Sequence, residues 1–271
     1  MPRVSVIIPI HDPNRQWLRE AIDSILGQTL SDLEILIVED TPGSAPLASD
    51  ARLRHLVNPT RGLGTALNFA VWRAAAPLIA RLDADDIAES DRLAKQVAMF
   101  DGDPLLTVAG SQLLVVAENG RPVATRSYPM AHAEIVDALQ RYNAIAHPAV
   151  MFRKAAIIAA GGYAQSGAAE DYDLWCRLAG RGARFANHAE PLTRYRYHPS
   201  LTRADVRRAI RATIEVKRRH FGSAISRRAR LRLFGEHLLL LFPTRLVSAL
   251  FRLTQLRPLP HRVERDDERS S

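Results

Sequence analysis

The sequence predicts an α/β fold, in which helices flank a doubly wound sheet of mixed, mostly parallel strands. Residues 4–10 and 33–38 are short, β-branched and nearly continuous apolar runs, which is typical of strands buried on both faces. Between them, apolar residues recur at helical spacing from Trp17 to Leu26. A strand, a helix and a second strand in this order form the repeating unit of a parallel sheet.

The alternation continues along the chain. Residues 52–57 predict a third strand, 63–75 a second helix and 78–82 a fourth strand. The later part is mixed, with predicted strands at 105–109 and 112–116, a hairpin at Asn119-Gly120, a helix at 133–141, an extended segment at 145–152, a helix at 170–178 and a last strand at 192–197. We expect residues 1–202 to form one domain, with Trp17, Trp72 and Trp175 in its core.

The composition is that of a globular protein with an uneven charge. Of the 271 residues, 47% are hydrophobic and 24% are charged. The single cysteine, Cys176, fits a reducing compartment. We find no signal-peptide pattern and no apolar run near the roughly 20 residues of a membrane span, so we expect a cytoplasmic protein. Residues 203–271 hold 17 Lys and Arg against 7 Asp and Glu, whereas residues 1–202 hold 20 against 22.

The basic C-terminal region has two interpretations. Residues 203–220 predict a helix rich in arginine, and within 226–256 apolar residues recur between arginines, with an interruption at Pro243. This pattern is typical of an amphipathic helix at an anionic bilayer, on the inner face of the cytoplasmic membrane. The alternative is a helical hairpin packed on the preceding domain. We expect this basic amphipathic tail to span residues 203–260, and residues 261–271 to be a disordered end.

Carboxylates follow the fourth predicted strand. Alternate strand residues share a face, so Asp83 and Asp85 can point the same way, while Ala84 leaves room for a ligand at the backbone. Hard cations such as Mg²⁺ and Mn²⁺ prefer carboxylate oxygens and keep substrate phosphates as further ligands. The sequence therefore predicts a divalent cation that binds a diphosphate. The alternative is an acidic turn that caps the helix starting near Ser90.

Other polar residues are predicted to reach the same edge of the sheet. The first strand ends at His11 and the second at Asp40, and the carboxyl ends of neighbouring parallel strands share one edge. A further acidic pair, Glu170 and Asp171, opens a predicted helix after a glycine-rich loop. The helix dipole favours an ionised carboxylate there, which suits a group that accepts a proton. The alternative is that both are ordinary acids of a first helical turn.

Short motifs occur in a specific order between residues 4 and 198. They are Val4-Ser5-Val6-Ile7-Ile8-Pro9, Val38-Glu39-Asp40, Asn58-Pro59-Thr60-Arg61-Gly62-Leu63-Gly64 with Ala66-Leu67-Asn68, Leu82-Asp83-Ala84-Asp85-Asp86, Arg92-Leu93 with Gln96, His147-Pro148, Glu170-Asp171-Tyr172-Asp173-Leu174-Trp175 and Tyr195-Arg196-Tyr197-His198. As an ordered set they resemble family 2 glycosyltransferases of the GT-A fold.

The resemblance implies an inverting transfer of one sugar from a nucleotide-diphosphate sugar donor to a hydroxyl of a glycan or lipid-linked acceptor. Asp171 would be the general base, and Glu170 would bind the acceptor. The resemblance further implies a cofactor, Mn²⁺ or Mg²⁺, which stabilises the negative charge of the leaving diphosphate. No second acid is then needed to protonate the leaving group.

The resemblance also implies a donor site. Asp85 would be the direct metal ligand, assisted by Asp83 and His198, and Arg196 would offset diphosphate charge. The residues implied in nucleotide-sugar binding are Pro9, His11, Asp40, Arg61, Asp83, Ala84 and Asp85. Two departures from the family pattern stand out: Glu39-Asp40-Thr41-Pro42 replaces the frequent Asp-Asp-Gly-Ser, and the Gln-x-x-Arg-Trp motif of processive synthases is missing. The second departure favours transfer of single sugars.

Other functional classes explain less of the sequence. A basic nucleic-acid-binding or membrane-binding protein without transferase activity would leave Asp83, Asp85 and Asp171 unexplained, and the tail lacks interleaved aromatics and zinc ligands, so we expect no nucleic-acid partner. A nicotinamide site is disfavoured because Gly62-Leu63-Gly64 lacks a third glycine and does not follow the first strand. A sugar nucleotidyltransferase should have a glycine-rich loop where this chain has Ile10-His11-Asp12-Pro13.

Overall fold

The computed structural model describes residues 1–39, 49–165, 168–197, 203–222, 225–243 and 246–247, and the backbone of 257–258. Within these residues the elements are β1 (Val4–Ile10), α1 (Arg15–Leu26), β2 (Leu33–Glu39), β3 (Leu53–Val57), α2 (Leu63–Arg73), β4 (Leu78–Arg81), β5 (Ile87–Ala88), α3 (Arg92–Gly102), β6 (Leu106–Val116), β7 (Pro122–Arg126), α4 (His132–Leu139), a 3₁₀ turn (His147–Ala149), β8 (Met151–Arg153), α5 (Lys154–Ala159), α6 (Glu170–Gly180), β9 (Arg184–Arg196), α7 (Arg203–Phe221), α8 (Arg227–Leu239) and β10 (Arg257–Pro258).

The described strands form one mixed sheet in the order β10-β7-β6-β8-β4-β1-β2-β3, and β9 pairs with both β6 and β5. Long parallel ladders join β4, β1, β2 and β3 side by side, and another joins β6 to β9. The antiparallel pairings of β8 with β4 and β6 connect the two parallel groups. The predicted α/β sheet of mixed, mostly parallel strands is confirmed, and the carboxyl ends of β1, β2 and β4 lie at one edge.

The sheet has an apolar layer on each face because successive side chains of a strand point to opposite sides. Val6 and Ile8 of β1 pack in one cluster with Leu18 of α1, and Ile7 packs in another with helices α2 and α6. Trp175 of α6 is fully buried in that second cluster, as predicted.

Trp72 is not a core residue. Its side chain is 67% exposed, so the sequence-based prediction for Trp72 was wrong. Helical periodicity places an aromatic residue on one face of a helix, but it does not determine whether another element covers that face.

The later part of the sheet differs from the prediction in three places. The two strands predicted at 105–109 and 112–116 are one continuous strand, β6, which passes through Gly110. A side chain at Gly110 would collide with Asn187 of the neighbouring strand, so glycine permits the close approach. Strand β9 begins well before residue 192, and the segment predicted as extended at 145–152 contains a 3₁₀ turn before β8.

The described part of the C-terminal region is a helical hairpin that packs on the domain. Helix α7 contacts α6, and α8 contacts α7. Val216 of α7 lies in the core, and the fully buried Lys217 donates two hydrogen bonds to Glu236 of α8. These contacts agree with the hairpin alternative. Helix α8 ends at Leu239, before Pro243, so the predicted helical pattern does not continue through 240–243.

No helix in the described ranges combines the length and the apolar character that crossing a bilayer requires. Residues 248–256, 259–260 and the predicted disordered end at 261–271 lie outside the described residues.

Candidate active site

Those residues implied in donor binding that the structure describes lie at or near the edge where β1, β2 and β4 end. Pro9 is half-buried near the end of β1, and His11 is exposed just beyond that strand. Arg61 is exposed in the loop before α2. Asp40 follows β2 directly, but Asp40 itself and His198 lie outside the described residues, so their roles stay predictions.

An acidic loop follows β4 and contains Asp83, Asp85 and Asp86. One carboxylate oxygen from each lies within 4.8 Å of the others. Asp83 accepts hydrogen bonds from both terminal nitrogens of Arg81, the one from Nη1 at 2.7 Å. Asp86 is fully buried, and its Oδ1 accepts from the backbone N–H of Arg196 at 2.9 Å. Its Oδ2 is buried and has no hydrogen-bond partner in the described part of the chain.

The electrostatics of this acidic loop favour a bound cation. Burial raises the pKa of Asp86 well above its ordinary value, and the neighbouring charges of Asp83 and Asp85 raise it further. Burial also raises the pKa of Asp83 although Arg81 opposes the shift. A divalent cation would relieve this repulsion, and an all-oxygen donor set with an unsatisfied buried oxygen suits Mg²⁺ or Mn²⁺. Arg81 occupies both oxygens of Asp83.

Arg196 anchors this loop from β9. Its side chain is 2% exposed and donates from Nε to the backbone oxygen of Asp85 at 2.9 Å and from Nη2 to Glu20 of α1 at 2.7 Å. A third bond joins it to the backbone oxygen of Glu118, and its guanidinium lies 5.0 Å from the ring centre of Trp17. These contacts within the protein occupy the guanidinium, and the sequence-based expectation that Arg196 offsets diphosphate charge stays a prediction.

Asp171 lies in the first turn of α6 and is held by two donors. Its Oδ1 accepts from the backbone N–H of Tyr172 at 2.7 Å, and its Oδ2 accepts from Asn143 Nδ2 at 2.6 Å. The side chain is 17% exposed. Burial raises the pKa of Asp171 above its ordinary value, although these hydrogen bonds and Arg81 lower it. The carboxylate is therefore oriented, accessible and more basic than an exposed aspartate.

His147 stands beside this carboxylate, and the sequence analysis assigned it no role. Its Nδ1 is 3.9 Å from Asp171 Oδ2, and its Nε2 is 3.3 Å from the Tyr163 hydroxyl. Burial, assisted by the charge of Arg81, holds the pKa of His147 well below its ordinary value, so the ring is neutral. His147, Glu170 and Asp171 each place a polar atom within 4.8 Å of the others.

Asn68 of α2 fixes the position of Tyr163. Its side chain accepts from the Tyr163 backbone N–H at 2.7 Å and donates to the Tyr163 backbone oxygen at 2.9 Å. The preceding residue, Gly162, has φ = 73°, and a side chain there would collide with Asn68. Asn68 and His147, which the sequence analysis named only as parts of motifs, thereby belong to one chain of contacts that reaches Asp171.

The buried Arg81 connects the acidic loop with Asp171. Burial alone would lower the pKa of Arg81, but the charges of Asp83, Asp86 and Asp171 contribute to raising it. The charge of Asp171 also raises the pKa of Asp83. The acids that the sequence predicted to meet, from the end of β4 and the start of α6, therefore lie close enough to interact in one site. The ion pair of Arg81 with Asp83 is local, whereas its interaction with Asp171 joins distant parts of the chain and was not predicted.

The Arg92 and Gln96 motif has a structural role. Arg92 is fully buried and donates to the backbone oxygens of Arg81 and Pro148 at 2.7 and 3.0 Å. Gln96 donates to the backbone oxygens of Ala109 and Ala149. These bonds join the end of β4 to the turn that carries His147, so they keep the two halves of the candidate site together.

Sequence comparison decides the family. The glycosyl transferase family 2 profile matches residues 5–158, more than half of the chain. The chain belongs to glycosyl transferase family 2. An O-antigen biosynthesis glycosyltransferase of Escherichia coli, WbnJ, is 34% identical over 210 residues, which cover 73% of this chain and 81% of the relative. The E. coli UDP-Gal:alpha-D-GlcNAc-diphosphoundecaprenol beta-1,3-galactosyltransferase is 27% identical over 206 residues, covering 72% of this chain and 74% of that enzyme.

Solved structures agree on the fold. The mannosyltransferase PcManGT of Pyrobaculum calidifontis, determined with GDP-Man and Mn²⁺, superposes with a TM-score of 0.58 at 16% identity, covering 93% of this chain and 84% of that one. The family 2 chain therefore has the GT-A fold, and it is a glycosyltransferase that depends on a nucleotide sugar.

Proposed function

We propose that this family 2 enzyme transfers a single sugar, with inversion, from a nucleotide-diphosphate sugar to a hydroxyl group of a lipid-linked or envelope glycan. The observation that carries the proposal is the arrangement around Arg81, which interacts with the acidic loop on one side and with Asp171 on the other. A donor diphosphate at the acidic loop would place its sugar toward Asp171.

Asp171 is the proposed general base. Its carboxylate takes the proton of the acceptor hydroxyl while the acceptor oxygen forms a bond to the anomeric carbon and the bond to the nucleoside diphosphate breaks. Attack from the side opposite the leaving group gives inversion. Asn143 and the Tyr172 N–H keep the carboxylate oriented, and its raised pKa makes it a better proton acceptor than an exposed aspartate. Glu170, beside it, is proposed to bind the acceptor.

The donor side is proposed to hold the cofactor. Asp85 is the proposed direct ligand of Mn²⁺ or Mg²⁺, with Asp83 and His198 in supporting positions. A bound cation would stabilise the negative charge that develops on the leaving diphosphate. Ala84 leaves room at the backbone between the two aspartates, and Pro9, His11, Asp40 and Arg61 complete the proposed nucleotide-sugar pocket.

The proposed acceptor class draws on what the relatives are named for. One relative is named for O-antigen biosynthesis, and another for a sugar carried on diphosphoundecaprenol. We propose an acceptor of this chemical kind and a location at the inner face of the cytoplasmic membrane.

A donor screen tests the proposal. The full chain is incubated with UDP-, GDP- and TDP-sugars and Mn²⁺, with and without an extract of lipid-linked glycans, and released nucleoside diphosphate is measured. We expect release with one donor type, stimulation by the extract and loss of release with EDTA. Asp85→Ala should abolish release, whereas the exposed Asp137→Asn serves as a control that keeps it. Absence of release with every donor, with or without the extract, would contradict the proposal.

A further inference from the structure

Helix α8 carries two opposite faces. On the inner face, Ala229 is buried and Glu236 accepts two hydrogen bonds from the buried Lys217 of α7. On the other side, Leu231, Phe234 and Leu238 are 74%, 62% and 40% exposed. These three residues are spaced three and four apart, so they lie along one side of the helix. The turn that follows α8 exposes two more large apolar side chains, Leu241 and Phe242.

Exposed arginines surround this apolar stripe. We define the outer face of α8 as Leu231, Phe234, Leu238 and the exposed arginines Arg227, Arg228 and Arg230. The one acidic residue of α8, Glu236, is engaged with Lys217 on the inner face. The outer face therefore combines apolar surface with positive charge alone.

We propose that the outer face of α8 docks on an anionic lipid bilayer. Leucine and phenylalanine side chains would enter the boundary between headgroups and acyl chains, and the arginines would bind lipid phosphates. A second copy of this chain fits less well, because a two-fold contact would place arginines against arginines. Nucleic acid also fits less well, since it would leave the central leucines and phenylalanine without an apolar partner.

The domain side of helix α8 contacts the segment next to Asn143 of the candidate site. The Arg232 guanidinium of α8 lies 5.0 Å from the ring centre of Tyr142, and the next residue, Asn143, donates to Asp171. Ser226, at the start of α8, donates from its backbone to Gln140, near the end of α4. These contacts join the helix that carries the outer face to the segment that orients Asp171. The inference that a bilayer-bound enzyme takes a lipid-linked acceptor rests on the proposed function.

Vesicle sedimentation of the full chain tests the docking. Binding is compared between vesicles of phosphatidylcholine alone and vesicles that also contain phosphatidylglycerol, without donor or metal. We expect binding to the anionic vesicles that weakens as salt rises. The Leu231→Ser/Phe234→Ser variant should bind at least about tenfold more weakly, and Arg227→Gln/Arg228→Gln should lose about tenfold or more on anionic vesicles.

A matched variant controls for exposed apolar surface as such. Trp72 and Leu105 are 67% and 72% exposed at other places on the domain, so Trp72→Ser/Leu105→Ser should bind anionic vesicles like the wild type. Thermal unfolding and nucleoside diphosphate release without vesicles should be unchanged in Leu231→Ser/Phe234→Ser, because both residues are exposed and lie outside the candidate site.

Several results would overturn the proposal. The full chain could fail to bind anionic vesicles. Trp72→Ser/Leu105→Ser could lose as much vesicle binding as Leu231→Ser/Phe234→Ser, or both outer-face variants could bind vesicles like the wild type. A dimer that dissociates in Leu231→Ser/Phe234→Ser, without vesicle binding by the wild type, would assign the face to a second copy. Vesicle binding by a chain that releases no nucleoside diphosphate would support the docking face while contradicting the proposed function.

Discussion

Replacing Arg196 by methionine tests how the acidic loop is held in place. The guanidinium is buried and joins four parts of the chain, through the backbone oxygens of Asp85 and Glu118, the carboxylate of Glu20 and the ring of Trp17. Methionine fills a similar volume but donates no hydrogen bonds. The variant leaves two backbone acceptors and one carboxylate without their partner.

The expected loss of stability follows from these contacts. Removing one partner of a buried ion pair costs about 3–5 kcal/mol. The lower end applies here, because Glu20 is 36% exposed and water can solvate its carboxylate once Arg196 is gone. We therefore expect the free energy of unfolding to fall by about 3 kcal/mol.

Arg194 is the matched control on the same strand. It forms an ion pair with Glu89 at 2.7 Å, but its side chain is 45% exposed, so Arg194→Met should cost at most about 1 kcal/mol. Urea unfolding of both variants gives the two free energies. Calorimetric titration with nucleoside diphosphate and Mn²⁺ should show weaker binding in Arg196→Met alone. Equal stability of the two variants, or unchanged binding by Arg196→Met, would refute the idea that this arginine positions the acidic loop.

Three further predictions concern the base, the metal and the helical hairpin. Asn143→Leu removes a hydrogen bond that lowers the pKa of Asp171. Because the base must be ionised, activity is lost as the pH falls through this pKa, so the acidic limb of the kcat/KM profile, already above the ordinary aspartate value, should move to higher pH. An unmoved limb would argue against Asp171 as the base. Asp85→Ala should abolish the difference in nucleoside diphosphate affinity with and without Mn²⁺, measured by calorimetry, and a persisting difference would place the metal elsewhere. Lys217→Met should lower the free energy of unfolding by about 3–5 kcal/mol, and Lys217→Met/Glu236→Leu should recover most of it; additive losses in urea unfolding would contradict the buried pair.

Local patterns in the sequence were enough to predict the elements that carry the candidate site. The apolar run of β1 predicts a buried strand at residues 4–10, and that strand is confirmed. Helix α6 begins at Glu170, as the acidic first turn predicted. Both predictions succeed because strand burial and helix starts depend on neighbouring residues.

Contacts between distant parts of the chain could not be predicted in the same way. Strand β9 pairs with β6 in a register that shifts along the ladder. The polar-rich stretch after Arg184 does not specify that register. No partner was predicted for Asn143, because Asp171 lies 28 positions along the chain. The contact of Arg196 with the backbone of Asp85 was not predicted, because a basic residue near a phosphate site can equally well bind the loop beneath it.

The most direct test of the central claim compares Asp171→Asn with the wild type, using the donor that the wild type turns over. Asparagine has nearly the same shape, so affinity for nucleoside diphosphate and Mn²⁺ should be unchanged. The rate of sugar transfer in a single turnover should fall by about a hundredfold to ten-thousandfold, because the proton acceptor is gone. A wild-type transfer rate in Asp171→Asn would contradict the account.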